Sequence, residues 1–301
     1  MTTKKRKLTL SRIEERVQQL PLLPSVVCDL MALDTDSPFF YDKVTELSQA
    51  DPPLATRVLK IANSASSAHS HVITDLHEAL IRVGTDKILS IITTLSVARV
   101  FTPVTDQQKA IWQHSIETAH IAKFVAIHLK DFNVDKGLAF TSGLLHDIGR
   151  FVLFEMTAKA IDVVDAKGWD TPIELPEVEK GVLGFTHADA GFIAAKKWQL
   201  PKVIVDMIRY HHNYEINEHN EVSAELRNLV LVVQFADLVS VLIEKNPEWP
   251  DWDEAKLTSE IRSFCHHDSW PKVNFPVNEL VKELPVISIE CYQILEKLRL
   301  R

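Results

Sequence analysis

Apolar residues recur at helical spacing along almost the whole chain, and this periodicity constrains the fold more than any other feature. In segment after segment they occupy positions i, i+3, i+4 and i+7, whereas the strict alternation of half-buried strands is nearly absent. Only 8 of the 301 residues are glycine, so few positions interrupt the pattern. The sequence therefore predicts an all-α protein.

The helical pattern divides into two parts followed by a proline-rich end. Helices are predicted over 25–33, 41–49, 53–62, 76–83 and 86–101, and then over 107–129, 136–156, 158–167, 187–198 with Thr186 as its N-cap, 201–210 and 221–245. Prolines after residue 246 predict only short helical pieces there. We expect a basic tail with the first helix over 1–19, a helical part over 20–101, a second helical part over 106–245, and a C-terminal helical cap over 246–301.

Composition excludes several classes of protein. The formal net charge of -8 opposes binding to a polyanion, so nucleic acid is not expected as a partner. The three cysteines have no C-x-x-C spacing, which argues against a disulfide framework or a thiolate metal site. No signal-peptide pattern or membrane-spanning segment is predicted. We expect a cytoplasmic protein that does not bind membranes.

A scattered set of histidines and aspartates is the strongest functional signal in the chain. Each lies in or beside an apolar helical stretch, so its side chain has a route into the interior. Burying an unpaired imidazole or carboxylate costs several kcal/mol unless a hydrogen bond, an opposite charge or a metal compensates. The set consists of His114, His146, Asp147, His187, His211, His212 and Asp237.

These residue types suit a metal site with open coordination positions. Nitrogen and carboxylate ligands without sulfur are typical of iron, manganese, nickel or zinc, and a carboxylate such as Asp147 can bridge two cations. Two alternatives stay open. A single histidine is more often a core or surface residue than a ligand, and the dipole of a helix favours a protonated histidine at its C-terminus, where His211 and His212 lie.

The motifs around these residues resemble a known family. The stretches WQHS, HDIGR, FTHADAG and RYHH, with LPLLPSV, LSQADPPLATRVLKIANSA and ITDLHEALIRVGTDKI before them, are similar to the HDOD domain, a helical signalling module of the HD superfamily of metal-dependent phosphohydrolases. The resemblance covers about residues 20–212 and, with Asp237, reaches into the following helix. It implies an HD-domain-like helical bundle with an N-terminal five-helix HDOD subdomain, in a bacterial signalling protein.

The resemblance also implies roles for the site residues. His114, His146, Asp147 and Asp237 would hold one divalent transition metal, and Asp147 would bridge to a second held by His187 and His211, with His212 as a further candidate ligand. Arg150 stands where the related HD-GYP phosphodiesterases commonly have lysine, so it would contact a phosphate oxygen during catalysis.

Two differences from the sequences of related phosphodiesterases limit this assignment of roles. The sequence NYEINEHN follows His212, so the GYP segment of the cyclic di-GMP phosphodiesterases is missing, and cyclic di-GMP is not the expected substrate. Ala110 stands where trinuclear relatives have an acidic residue, so no third metal is expected.

Two functions fit these patterns. The first is a metal-binding HDOD signal-transduction module that acts by binding a signalling protein or a small nucleotide or phosphate ligand. The alternative is an active phosphohydrolase or phosphodiesterase, with Asp147 and Arg150 in its catalytic site. The first is favoured because the resemblance extends over the N-terminal half, which carries no catalytic motif. The oligomeric state is left open.

Overall fold

The computed structural model describes residues 9–20, 39–49, 73–156 and 158–298, together with residue 29 and six residues between 55 and 63. Within these ranges every regular element is helical and no β-strand occurs, so the all-α prediction is confirmed. The chain forms two compact units, one of residues 1–20 and 103–301 and the other of residues 21–102.

The described residues form helices in the following chain order: α1 Leu10–Val17, α2 Phe40–Gln49, α3 Leu76–Val83, α4 Thr85–Val100, α5 Asp106–His128, α6 Lys136–Leu145, α7 Ile148–Met156, α8 Ala158–Asp165, α9 Leu175–Leu183, α10 His187–Lys197, α11 Lys202–Tyr210, α12 Ala224–Lys245, α13 Glu254–Phe264 and α14 Val277–Leu298. Short 3₁₀ turns lie at Lys130–Phe132, Ile216–Glu218 and Trp249–Asp251.

In the smaller unit, α2 packs against α3, and α3 packs against α4. Asp75 is the N-cap of α3, and its carboxylate accepts a hydrogen bond from the backbone N–H of Glu78. The helices predicted over 25–33 and 53–62 lie largely outside the described residues.

The larger unit is built around two long buried helices, α5 and α12. Helix α5 packs against α6, α12 and α14, while α7 packs against α10. Two glycines allow these close approaches. A Cβ on Gly143 would lie 2.7 Å from the Cα of Ala119, and a Cβ on Gly149 would lie 1.8 Å from the carbonyl oxygen of His187. The glycines therefore let α6 lie close to α5 and α7 lie close to α10.

Local capping fixes where two of the central helices begin. Thr186 caps α10 in a reciprocal capping box with Asp189, which confirms the predicted cap. Thr105 and Gln108 form the same arrangement at the start of α5. The Thr186 cap sets the first turn of α10, and it therefore also sets the direction in which the side chain of His187 points.

Three helix predictions are wrong in detail. The helix predicted over 136–156 is two helices, because the chain turns at His146 and Asp147 between α6 and α7. Helix α9 is missing from the predicted set. Pro285 lies inside α14 instead of breaking it, because the buried stripe of that helix packs against α5 and α13.

Helix α12 is, among the described residues, long and apolar enough to cross a membrane by length and composition, with a mean hydropathy of 1.8 in its most apolar window. However, 89% of that window is buried inside the protein. The helix therefore forms the core of its unit, where its one central acid, Asp237, is also buried.

Candidate metal centre

Three of the predicted ligands form a first cluster: His114 from α5, His146 from the turn after α6, and Asp237 from α12. All three side chains are buried. The Nε2 atoms of His114 and His146 are 3.2 Å apart. The Oδ1 atom of Asp237 lies 3.3 Å from Nε2 of His114 and 3.9 Å from Nε2 of His146. These three atoms could surround one ion.

The other four predicted ligands form a second cluster: Asp147, His187 at the start of α10, and His211 and His212 just after α11. The Oδ1 atom of Asp147 is 2.9 Å from Nε2 of His187 and 3.7 Å from Nε2 of His211. The Nε2 atoms of His211 and His212 each lie 3.1 Å from Nε2 of His187. Within each cluster the potential ligand atoms lie within 4.8 Å of one another.

Asp147 links the two clusters. Its Oδ1 atom faces the second cluster and also lies 3.7 Å from Nε2 of His146, while its Oδ2 atom lies 3.9 Å from Nε2 of His114. Burial alone would raise the pKa of this carboxyl, but His146 and His187 outweigh burial and hold it well below its ordinary value. Asp147 is therefore ionised and placed between both groups.

The outer nitrogen of four of the imidazoles has its own hydrogen-bond acceptor. Since a neutral imidazole carries one hydrogen, an Nδ1–H that donates outward leaves a lone pair on Nε2 pointing inward. The Nδ1 contacts are 3.0 Å from His114 to the hydroxyl of Ser240, 2.7 Å from His146 to the carbonyl of Gly143, 2.7 Å from His187 to Glu179, and 2.7 Å from His211 to the carbonyl of Ile208.

Inward lone pairs at hydrogen-bond distance from one another require a cation between them. Without a metal, that cation is a proton. Burial would lower the pKa of His114, but Asp237 raises it to about 9. Burial would likewise lower the pKa of His187, but Glu179 and Asp147 raise it to about 10. Burial lowers the pKa of His146 to about 4, so it is the neutral partner of His114.

The chemistry of these donor atoms therefore fits a divalent metal. Each cluster offers inward imidazole nitrogens and at least one carboxylate and contains no sulfur. Across the two clusters, backbone or carboxylate acceptors support three of the five rings. This combination is typical of sites for iron, manganese, nickel or zinc.

Glu179 on α9 is a residue of the candidate site that sequence reasoning missed. Its side chain is fully buried, and Oε2 accepts from both the backbone N–H of His187, at 2.8 Å, and Nδ1 of the same residue, at 2.7 Å. One signal could have identified it. Glu179 stands four residues after Leu175 and four before Leu183, two buried leucines, so an acid interrupts the apolar stripe of a short helix.

Ser240 on α12 is a second missed residue. Its hydroxyl accepts from Nδ1 of His114 and lies 3.2 Å from Oε2 of Glu117, to which it donates. Burial raises the pKa of Glu117. These contacts connect His114 of the first cluster, through Ser240, to Glu117 on α5. Sequence reasoning missed Ser240 because a buried serine in an apolar helix carries little sequence signal.

Arg150 lies beside the clusters, on α7. Its side chain is buried, Nη2 donates to Oδ1 of Asp165 at 3.2 Å, and Nε has no hydrogen-bond partner. A cavity of about 130 Å³ opens next to it. The cavity reaches both clusters, and its lining includes His114, Asp147, Arg150, His212 and Asp237.

The structure thus brings all seven predicted ligands into two adjoining groups and places Arg150 on the cavity that leads to them. His212 differs from the other four histidines, because its Nδ1 atom is buried without a hydrogen-bond partner. Burial lowers the pKa of His212 well below its ordinary value.

Comparison with known proteins matches residues 20–214 to the model of the HDOD domain family. The chain is 28% identical over 234 residues to an uncharacterized protein of Treponema pallidum (strain Nichols), covering 75% of this chain and 43% of that protein. A shorter match, 30% identical over 103 residues, joins 34% of this chain to 13% of ribonuclease Y of Thermus thermophilus. The chain spans less than half the length of these curated relatives.

Solved structures share the fold. A candidate phosphohydrolase from Shewanella amazonensis is 23% identical, with a TM-score of 0.66 over 94% of this chain and 97% of that one. An HDOD domain protein of unknown function from Geobacter sulfurreducens is also 23% identical, with a TM-score of 0.64 over 95% and 97%. A candidate signal transduction protein from Marinobacter aquaeolei is 18% identical, with a TM-score of 0.67 over 95% and 61%.

Proposed function

This chain belongs to the HDOD family, and we propose that it is a cytoplasmic regulatory module that binds two divalent metal ions and a small phosphate-bearing ligand at one buried site. Occupancy of that site would control its contact with a signalling protein. The matched family supports the regulatory role, and the buried His/Asp clusters support the metal.

The convergence of the Nε2 atoms carries the proposal. Five imidazoles direct this atom into two groups, and Asp147 faces both of them. A bound pair of divalent ions would supply Lewis acidity and neutralise the negative charge of a phosphate group. The first ion would be held by His114, His146 and Asp237, and the second by the four residues of the other cluster.

The protein itself would orient the phosphate through Arg150. Its guanidinium is anchored at Nη2 by Asp165, and Arg150 lines the cavity, so its other Nη–H groups would donate to a ligand oxygen there. A planar guanidinium suits phosphate, because it presents parallel donors. Arg150 would therefore fix the ligand beside the metal pair.

Metal content tests the proposal directly. Protein purified without chelator and reloaded with manganese, iron, nickel or zinc should hold one ion per cluster. His146→Ala should lose the first ion, and Asp147→Ala should weaken both. His219→Ala is the matched control, since His219 is half exposed and lies in neither cluster. A wild-type protein that retains none of these metals after reloading would overturn the proposal.

A second candidate function is hydrolysis of the bound phosphoester. The cavity favours it, because it opens directly onto both clusters and a purely structural metal needs no such access. Wild-type protein loaded with each metal should then hydrolyse bis(p-nitrophenyl) phosphate or a nucleotide, and Asp147→Ala should abolish turnover. Equal rates in the two proteins would assign the activity to a contaminant.

A further inference from the structure

The turn that carries His211 and His212 is tied to a second helix. The carbonyl of Asn213, the next residue, accepts a local hydrogen bond from the backbone N–H of Ile216 at 3.2 Å. It also accepts a hydrogen bond from Nε2 of Gln234 at 3.0 Å. Because Gln234 lies on α12, this second bond joins the backbone beside His212 to a different element of the unit.

Gln234 lies close to the source of a ligand of the first cluster. It stands three residues before Asp237 on α12, and residues three apart lie on the same side of a helix. Its side chain is fully buried. The bond to Asn213 therefore fixes the turn that supplies two ligands of the second cluster relative to the helix that supplies Asp237.

Trp270 holds the amide of Gln234 in the orientation that this bond needs. Its indole Nε1–H donates to Oε1 of Gln234 at 3.0 Å. An indole N–H can only donate and a backbone carbonyl can only accept, so one orientation of the amide satisfies both groups. The ring of Trp270 also stacks on Tyr214, with centres 6.1 Å apart and planes 18° apart. Trp270 thus supports the turn both through Gln234 and through Tyr214.

We propose that Gln234 and Trp270 are positioning residues for the second metal ion, because they hold the turn of His211 and His212 in place. The inference rests on the proposed function, since it assumes that the second cluster binds a metal. Both residues lie beyond the matched residues 20–214. The C-terminal part of the chain would therefore support the site without supplying a ligand to it.

His212 is the ligand that depends most on this support. Nδ1 of His211 donates to the carbonyl of Ile208 at 2.7 Å, so its own helix orients that ring. Nδ1 of His212 is buried without a hydrogen-bond partner, so the backbone of the turn has to place the ring. Bonds between a metal and its ligands tolerate errors of only about 0.2 Å. A small displacement at Asn213 would therefore weaken the second ion.

Competition between the zinc-loaded protein and a chromogenic chelator tests this inference. Trp270→Phe keeps an aromatic ring and removes the N–H, and it should weaken the second zinc about three- to tenfold, the range that one hydrogen bond supplies. The first zinc should keep its affinity. Gln234→Leu breaks both bonds and should weaken the second zinc at least as much. The same titration in the His146→Ala background, which should hold only the second ion, identifies the weakened one.

Trp252→Phe is the matched control. It also removes a buried indole N–H from the C-terminal part of the chain, but the N–H of Trp252 has no hydrogen-bond partner. This variant should therefore bind both zinc ions like the wild type. A purely structural role of Trp270 would lower the unfolding midpoint of Trp270→Phe and leave its zinc affinities, measured well below that midpoint, unchanged.

Hydrogen exchange on the metal-free protein gives a readout that does not depend on zinc. The amides of Asn213 and Ile216 should exchange faster in Trp270→Phe than in the wild type, whereas the amides of α10 should not change. Unchanged affinity for the second zinc in Trp270→Phe would overturn the inference and leave the metal pair standing. If the wild type bound no metal, the proposed function would fail; faster exchange would still support the hold on the turn, and unchanged exchange would overturn that as well.

Discussion

Replacing Glu179 by glutamine should weaken metal binding at the second cluster without unfolding the protein. Glutamine keeps the size of the side chain and one acceptor oxygen, but it removes the negative charge that faces His187 at 2.7 Å. Loss of an outer partner of a metal-ligating histidine typically lowers metal affinity about 10- to 100-fold, which corresponds to roughly 1.4–2.7 kcal/mol. The first cluster does not contact Glu179 and should keep its affinity.

Competition with a chromogenic chelator measures this effect, because it distinguishes a metal ion that is bound tightly from one that is bound more weakly. Glu177→Gln is the matched control, since Glu177 lies on the same helix with its side chain 79% exposed. The metal-free Glu179→Gln protein should also melt at a lower temperature at neutral pH, because Glu179 helps to raise the pKa of His187. If Glu179→Gln bound both equivalents as tightly as the wild type, the assignment of Glu179 as a supporting group would be wrong.

Three further predictions use other parts of the same unit. Gly149→Ala should cost about 1–3 kcal/mol of stability and weaken the second cluster, because its Cβ would meet the carbonyl of His187; urea unfolding measures the cost, and Gly181→Ala, with no heavy atom within 4 Å, should be neutral or stabilising. The metal-free protein should lose stability as the pH rises from about 6.5 towards 10, since the folded pKa of His187 is raised to about 10; metal binding at neutral pH should accordingly release protons, which calorimetry in buffers of different ionisation enthalpy would detect. Gln234→Leu should cost about 1–3 kcal/mol, because it removes the amide donor 3.0 Å from the carbonyl of Asn213; an unchanged unfolding midpoint would show that this contact contributes little.

The candidate ligands stand out in the sequence because polar residues in apolar helices are conspicuous. Asp237 interrupts a stretch of α12 that is otherwise buried, and His114 follows the apolar residues Ile111 and Trp112 on α5, so the sequence marks both as polar residues that need a partner if buried. The grouping into two clusters could not be derived from the sequence, because it depends on how helices far apart in the chain cross. The resemblance supplied an assignment of ligands, and spacing alone would not have done so.

The turn between α6 and α7 shows where local pattern fails. The apolar periodicity runs through His146 and Asp147 without a break, so it predicts one helix over 136–156. On a continuous helix these consecutive side chains would diverge by about 100°. The turn instead lets the imidazole enter the first cluster while the carboxylate reaches both. The packing of α6 against α5 and α12, and of α7 against α10, is not a local property of the sequence, and it accompanies this change in the backbone.

At Pro285, packing outweighs a strong local signal for the end of a helix. Proline inside a helix costs about 3 kcal/mol or more, because it removes a hydrogen bond and crowds the preceding turn. Helix α14 nevertheless continues through it, with Leu280, Leu284 and Ile287 buried on one stripe. Burial of side chains of this size contributes about 1.5–3 kcal/mol each, so three of them are enough to offset the proline.

The supporting hydrogen bonds bear on whether the metal would be a structural or a regulatory element. Nδ1 of His146 donates to Gly143 and Nδ1 of His211 donates to Ile208, each three residues back on its own helix, so these rings are oriented by the helices that carry them. A site held in this way needs no metal to form, in contrast to small zinc domains that are unfolded without it. Removing the metal would therefore change the charge and ligand affinity of the site more than its fold, which is the behaviour that a regulatory module requires. Circular dichroism and phosphonate binding before and after chelation separate the two cases: retained helicity with lost phosphonate affinity supports regulation, whereas loss of helicity would make the metal a structural element.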